Sequence, residues 1–220
     1  NPEPIAPFFD CFYIGEGEIQ FDAFLTLYKR MRAEGRSRAE FLHEAAKIEG
    51  IYVPSLYEVT YKENGTIDAF LPIYDDIPAK IKKQVEMDMT GTVYPEKPVV
   101  PFIKATQDRI VLEIQRGCIR GCRFGQAGMI YRPNREKGVE RLKELAKKMI
   151  DSTGHEEISL SSLSSSDYSE LEELINFLME ECEKRKINIS LPSLRIDAFS
   201  LDIMQKVQDI KKSSLTFAPE

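Results

Sequence analysis

From Arg109 onward, short apolar runs and amphipathic helical runs alternate without a break, and this alternation restricts the fold more than any other feature of the chain. Ile110-Val111-Leu112-Glu113-Ile114 reads as a strand. Residues 136–150 follow as an amphipathic helix, 158–163 as a second strand, and 168–184 as a helix with Leu171, Leu174, Ile175 and Leu178 on one face. Residues 187–194 make a third strand, 201–210 a third helix and 215–217 a fourth strand. Strand and helix in strict succession imply right-handed crossovers and a parallel sheet. Such sheets gather ligands at the C-terminal ends of their strands. The loop after the first strand holds Cys118 and Cys122, so both thiols fall at the edge where chemistry is expected.

The first hundred residues carry a different pattern. Residues 8–14 read as a short buried strand running into Gly15-Glu16-Gly17-Glu18. That turn is either a tight bend at a sheet edge or a ligand-facing turn, and it is not a phosphate-binding fingerprint. Phe21, Phe24, Leu25, Leu27, Tyr28 and Met31 then fall mostly on one helical face, and Gly35 ends the helix. A second helix over 37–48 starts from Ser37 as N-cap, with Phe41, Leu42, Ala45 and Ile48 as its apolar face. Gly50 stops it, and 51–54 is extended. Residues 58–61 and 67–70 flank Glu63-Asn64-Gly65, a hairpin signal. Pro72, Pro78, Pro95, Pro98 and Pro101 predict an irregular stretch over 71–106.

Composition narrows the function classes. The net charge of -6 argues against a general nucleic-acid-binding surface, which leaves nucleic acid undecided as a partner. No run approaches the ~20 apolar residues of a membrane helix, so no membrane partner is expected. The opening Asn1-Pro2-Glu3-Pro4 is unlike a signal peptide, and a cytoplasmic location is the expectation. A chain of this size with four cysteines does not depend on disulfide staples. Cys11 and Cys182 sit among apolar residues and read as small buried hydrophobes.

Cys118 and Cys122 share the loop Gln115-Arg116-Gly117-Cys118-Ile119-Arg120-Gly121-Cys122-Arg123-Phe124-Gly125-Gln126-Ala127-Gly128. Thiolates are soft ligands suited to iron-sulfur clusters and zinc. Gly117 and Gly121 would let the backbone curl around a metal, and Arg116, Arg120 and Arg123 supply cationic neighbours. On spacing alone a structural or incidental pair stays open. A zinc site would need two further ligands. The histidines are His43 and His155, and His155 precedes the second strand, at the opposite end from the loop.

The loop strongly resembles the cluster-binding loop of the radical S-adenosylmethionine (radical SAM) superfamily, C-x-x-x-C-x-aromatic-C. Cys118, Cys122 and Phe124 match its first, second and aromatic positions, and Gly125 stands at the third cysteine position. The likeness continues through Arg116-Gly117 and Gln126 to Pro133. It is closest to an uncharacterised family of radical SAM proteins with an N-terminal cobalamin-binding domain. The resemblance implies a partial (β/α) radical SAM barrel at 107–220, with about four of six strand-helix units. It implies a mixed helical and hairpin linker at 21–106 and the tail of a Rossmann-like cobalamin domain at 1–20. Three thiolates would hold a four-iron four-sulfur cluster, and one electron from a donor such as ferredoxin or flavodoxin would cleave bound S-adenosylmethionine to a 5′-deoxyadenosyl radical. Phe124 would lie beside the adenine. Ser164 to Ser166, Arg195 and Glu220 are candidates for holding the cofactor's polar groups, by their position at strand ends; helix capping by Ser166 is an equal reading. Cobalamin would accept or donate a methyl group, which points to methyl or methylthio transfer in the parent family. Gly125 removes a ligand, so impaired activity is expected here. The alternative is a non-catalytic half-barrel binding module without a cluster.

Overall fold

The computed structural model describes residues 2–103, 105–192, 194–195 and 217–218. The chain divides into two compact units, Asn1–Glu86 and Met87–Glu220.

The first unit begins with a 3-10 helix over Glu3–Phe8. The buried strand expected at 8–14 shrinks to β1, Phe12–Tyr13, which pairs antiparallel with β2, Ile51–Tyr52. Pro4 and Pro7 explain the difference, because proline donates no hydrogen bond to a sheet and fixes φ near the 3-10 value. α1 spans Gly17–Ala33 and α2 spans Arg38–Ala45. Ser37 caps α2 in a reciprocal box: its hydroxyl accepts from the Glu40 amide (3.3 Å) and the Glu40 carboxylate accepts from the Ser37 amide (2.9 Å). α2 stops at Ala45, short of Ile48, whose amide closes a turn onto Ala45. β3, Tyr57–Tyr61, and β4, Ile67–Pro72, form the expected hairpin, with a register shift at Thr60/Tyr61. Gly15, at φ +127, lies against the Gln84 backbone, and a Cβ there would come within 2.2 Å of the Gln84 carbonyl oxygen. Close backbone packing therefore accounts for that glycine. The core is small: Ala45, Ala46, Ile51, Tyr52, Val53, Tyr57 and Ile77 are buried, with half-buried rings such as Phe24 and Phe41 around them.

In the second unit no helix or strand forms among the described residues between 87 and 109, as the prolines predict. The described elements then follow in the order β5 Ile110–Glu113, β6 Gln115–Arg116, α3 Gln126–Ile130, β7 Arg135–Glu136, α4 Val139–Thr153, β8 Glu157–Ser161, a 3-10 helix Ser165–Asp167, α5 Leu171–Arg185, β9 Asn188–Ser190, β10 Leu194–Arg195 and β11 Phe217–Ala218. β5, β8 and β9 form a parallel sheet in the order β5-β8-β9, with Leu112 beside Leu160 and Ile158 beside Ile189. This confirms the α/β class and the parallel strands read from the alternation. The helices bury one stripe each. Leu142, Leu145, Ala146 and Met149 of α4 and Leu174, Ile175, Leu178 and Cys182 of α5 pack with Ile110, Leu112, Ile158 and Leu160. Left-handed residues terminate both helices: Gly154 after α4 (φ 69) and Lys186 after α5 (φ 56).

Two departures from expectation have local causes. The third strand splits into β9 and β10 around Leu191 and Pro192, since Pro192 has no N–H to donate and its carbonyl accepts from the Ser165 hydroxyl (2.8 Å). β10 then pairs parallel with β11, Leu194 beside Phe217. The helix expected at 136–150 starts only at Val139, because Arg135 and Glu136 belong to β7. The expected helix at 201–210 lies outside the described residues.

Candidate functional site

β5 carries the chain to the C-terminal edge of the sheet, where Ile114 donates its amide to the Ser161 carbonyl (3.1 Å). There β6 and β7 pair antiparallel, Gln115 with Glu136 and Arg116 with Arg135, and clip the base of the excursion from 117 to 134. Gly117 begins this excursion at φ +91. A Cβ on it would sit 2.6 Å from the Tyr131 carbonyl oxygen and 2.7 Å from that of Pro133, so only glycine fits. Arg135 braces the returning arm, donating to the carbonyls of Pro133 (2.9 Å) and Tyr131 (3.2 Å). Gly121 has open space where a side chain would start and no positive φ, so the curl assigned to both glycines belongs to Gly117.

Cys118 and Cys122 are both half-buried on this loop, and neither forms a disulfide. The Arg120 amide donates to Cys118 Sγ (3.4 Å). Gly125 donates its amide to the Cys122 carbonyl (3.0 Å) and precedes α3 with φ -82, a backbone open to any residue. A Cβ at 125 would lie 3.4 Å from the Cys122 Cβ, in contact without overlap. Phe124 is 80% exposed, and Ile119, Met129 and Ile130 are exposed with it.

The serines after β8 meet this loop through Asp167, a residue that sequence reasoning missed. The Asp167 carboxylate accepts from Arg120 Nη2 (2.9 Å), Arg195 Nη1 (3.2 Å) and the Ser164 hydroxyl (2.7 Å). Burial opposes its charge, yet the hydrogen bonds from Arg120 and Ser164 hold its carboxyl below the ordinary value. The Ser164 carbonyl accepts from Gln115 Nε2 (2.5 Å), and Ser166 Oγ accepts from the Arg195 amide (3.0 Å). Ser166 therefore links the end of β8 to β10, and the helix-capping alternative falls away, since α5 is preceded by Glu170 as its N-cap. Gln115 Oε1 is buried without a hydrogen-bond partner. Arg116 forks onto Glu113 (2.8 and 2.9 Å).

The structure thus brings Ser164, Ser166 and Arg195 together with the cysteine loop at one sheet edge. Glu220, the remaining sequence candidate, lies outside the described residues. The one advance signal for Asp167 is its place next to the strand-end serines. His155 sits at the other edge, with Nδ1 3.4 Å from Asp108 Oδ1, which fits its expected distance from the thiols. Among the described residues no three His, Cys, Asp or Glu side chains gather as a metal site. Burial raises the Cys182 thiol to about 11, in keeping with its reading as a buried hydrophobe, and also raises Cys11, which is only half-buried against the core of the first unit.

Comparison with known proteins adds a family. Residues 1–54 match the family model described as radical SAM proteins, N-terminal, and residues 112–219 match that of the radical SAM superfamily. An uncharacterized protein of Methanocaldococcus jannaschii is 30% identical over 226 aligned residues, covering 99% of this chain. The chain spans 39% of that relative's length. The superfamily implies a four-iron four-sulfur cluster and S-adenosylmethionine. A cluster held by three thiolates does not fit the donors present, because Cys118 and Cys122 offer two and Gly125 offers none.

Proposed function

We propose, for a chain that belongs to the radical SAM superfamily, that it carries the first part of a radical SAM barrel whose cluster loop is one thiolate short. Reductive cleavage of S-adenosylmethionine is the parent activity, and it is impaired in this chain. One observation carries the reading. The backbone at Gly125 has an ordinary φ of -82, and a side chain there would emerge beside Cys122. A third ligand would fit at that position, and glycine supplies none.

Ser164, Ser166 and Arg195 form the polar edge toward which the cofactor's charged groups would turn, and Phe124 offers an exposed ring for its adenine. The exposure of Phe124 supports this role, since an aromatic side chain in solvent has apolar surface still to cover. Cobalamin in the parent enzyme belongs to the same reading, as do an electron donor of the ferredoxin or flavodoxin class and methyl or methylthio transfer; the division into a domain tail at 1–20 and a linker at 21–106 is at odds with the packing of Asn1–Glu86 as one compact unit. No described helix is long and apolar enough to cross a membrane.

Anaerobic reconstitution tests the proposal. The chain as it stands should retain little iron, and Gly125→Cys should raise iron and sulfide per chain several-fold, with a cluster absorption band in the visible. Equal iron in the two forms would refute it. A second reading is a binding module without a cluster. It is favoured by the closure of Ser164, Asp167 and Arg195 on one another, which gives this edge a stable structure without metal. Binding of S-adenosylmethionine by the unreconstituted chain, unchanged in Gly125→Cys, would select that reading.

A further inference from the structure

We propose that Asp167 is a positioning residue for the cysteine loop, acting through Arg120. The Asp167 side chain is 6% exposed and the Arg120 side chain 41%, so a fixed carboxylate at the strand ends holds a guanidinium that reaches in from the loop. Arg120 Nη2 lies 2.9 Å from Oδ1 and its Nε 3.4 Å from Oδ2. The backbone amide of that same arginine donates to Cys118 Sγ. Side-chain and main-chain ends of one residue therefore join the carboxylate to the first thiol. The carboxylate is in turn fixed by the Ser164 hydroxyl and by Arg195, 7% exposed, from β10. Charge-assisted bonds of this kind are shorter and stronger than neutral ones, and burial limits their screening. The pairing links residues 47 apart in the chain, so it sets where the loop lies over the sheet edge.

The inference takes its meaning from Cys118 as a cluster ligand, but its test uses the metal-free chain, so the two stand or fall separately. Anaerobic alkylation by iodoacetamide, followed peptide by peptide, reads the reactivity of Cys118 against the buried Cys182 in the full chain. Asp167→Ala and Arg120→Leu should each raise the Cys118 rate about tenfold, which is the scale of one lost charge-assisted hydrogen bond. Cys182 should keep its rate in both, and Asp167→Glu should recover part of the protection. Arg120→Leu guards against misfolding, because its side chain is half in solvent and outside the apolar core. Unchanged Cys118 reactivity in Arg120→Leu would overturn the proposal. So would a parallel rise at Cys118 and Cys182 in Asp167→Ala, which would mark Asp167 as a brace of the whole fold.

Discussion

The two compact units are stabilised by different means. In Met87–Glu220, aliphatic side chains of α4 and α5 interlock with those of β5 and β8 into one continuous core that runs from Ile110 to Leu194. In Asn1–Glu86 the buried set is short and rich in rings, and Phe8, Phe9, Phe21 and Tyr28 are substantially exposed. Its order depends more on local devices: the Ser37–Glu40 box, the β3–β4 hairpin and the seat of Gly15 on Gln84. A residue's burial therefore decides its worth in the second unit, and its place in a local hydrogen-bonded device decides it in the first.

This contrast can be broken at several points. The largest effect should come from Leu174→Ala, which empties a fully buried site between α5 and the sheet and should cost about 2–5 kcal/mol. Hydrogen exchange measured by peptide should show the loss across β5, β8 and α5 with the Asn1–Glu86 peptides unaffected; a loss shared by both units would erase the distinction between them. Next comes the loop. Gly117→Ala should cost roughly 2 kcal/mol from left-handed strain and the clash with two carbonyls, while Gly121→Ala should be near neutral. Thermal melts of the two variants side by side decide it, and equal melting points would count against the clip geometry.

The smaller effects fall in the first unit. Ser37→Ala should weaken it by about 1 kcal/mol, visible as faster exchange in α2. Smallest is Asp76, whose carboxyl is held down to about 2 by hydrogen bonds from His43 and Lys47. A depressed folded value means that its contribution is present above the ordinary carboxylate range and fades as pH falls toward 2. The group is exposed, so salt should screen it. Asp76→Asn should differ from the parent at pH 7 in low salt and match it in ~1 M salt; a difference that survives salt would mean a packing role.

Much of this architecture is legible in the residues. The stripe Leu171, Leu174, Ile175 and Leu178 announces the buried face of α5, and Asn64-Gly65 announces the hairpin, because each carries a periodic or turn-specific signal. The β6–β7 clip does not show, since a pairing of two residues a side is too short to leave a period. The strand expected at 8–14 is shortened to Phe12–Tyr13, because the proline-containing 3-10 helix before it extends to Phe8. At the site, the cysteines and strand-end serines are visible by type and position. Asp167 is not, because a carboxylate in a serine-rich run looks solvated until its partners arrive from β10 and the loop.

The clip has a consequence for how this chain tolerates change. Pairing Gln115 with Glu136 and Arg116 with Arg135 closes the excursion into a ring whose ends meet at the clip, where Gly117 lets the two arms pack together. The entropy of bringing those ends together is set by ring length, and it varies only slowly with that length. Positions such as 121 and 125, which carry no positive φ, are thereby released from the task of holding the sheet together. On the reading proposed above, the residue at 125 would bear on the chemistry of the loop while the flanking strands keep their register, so a change in chemistry and a change in structure would be separable events.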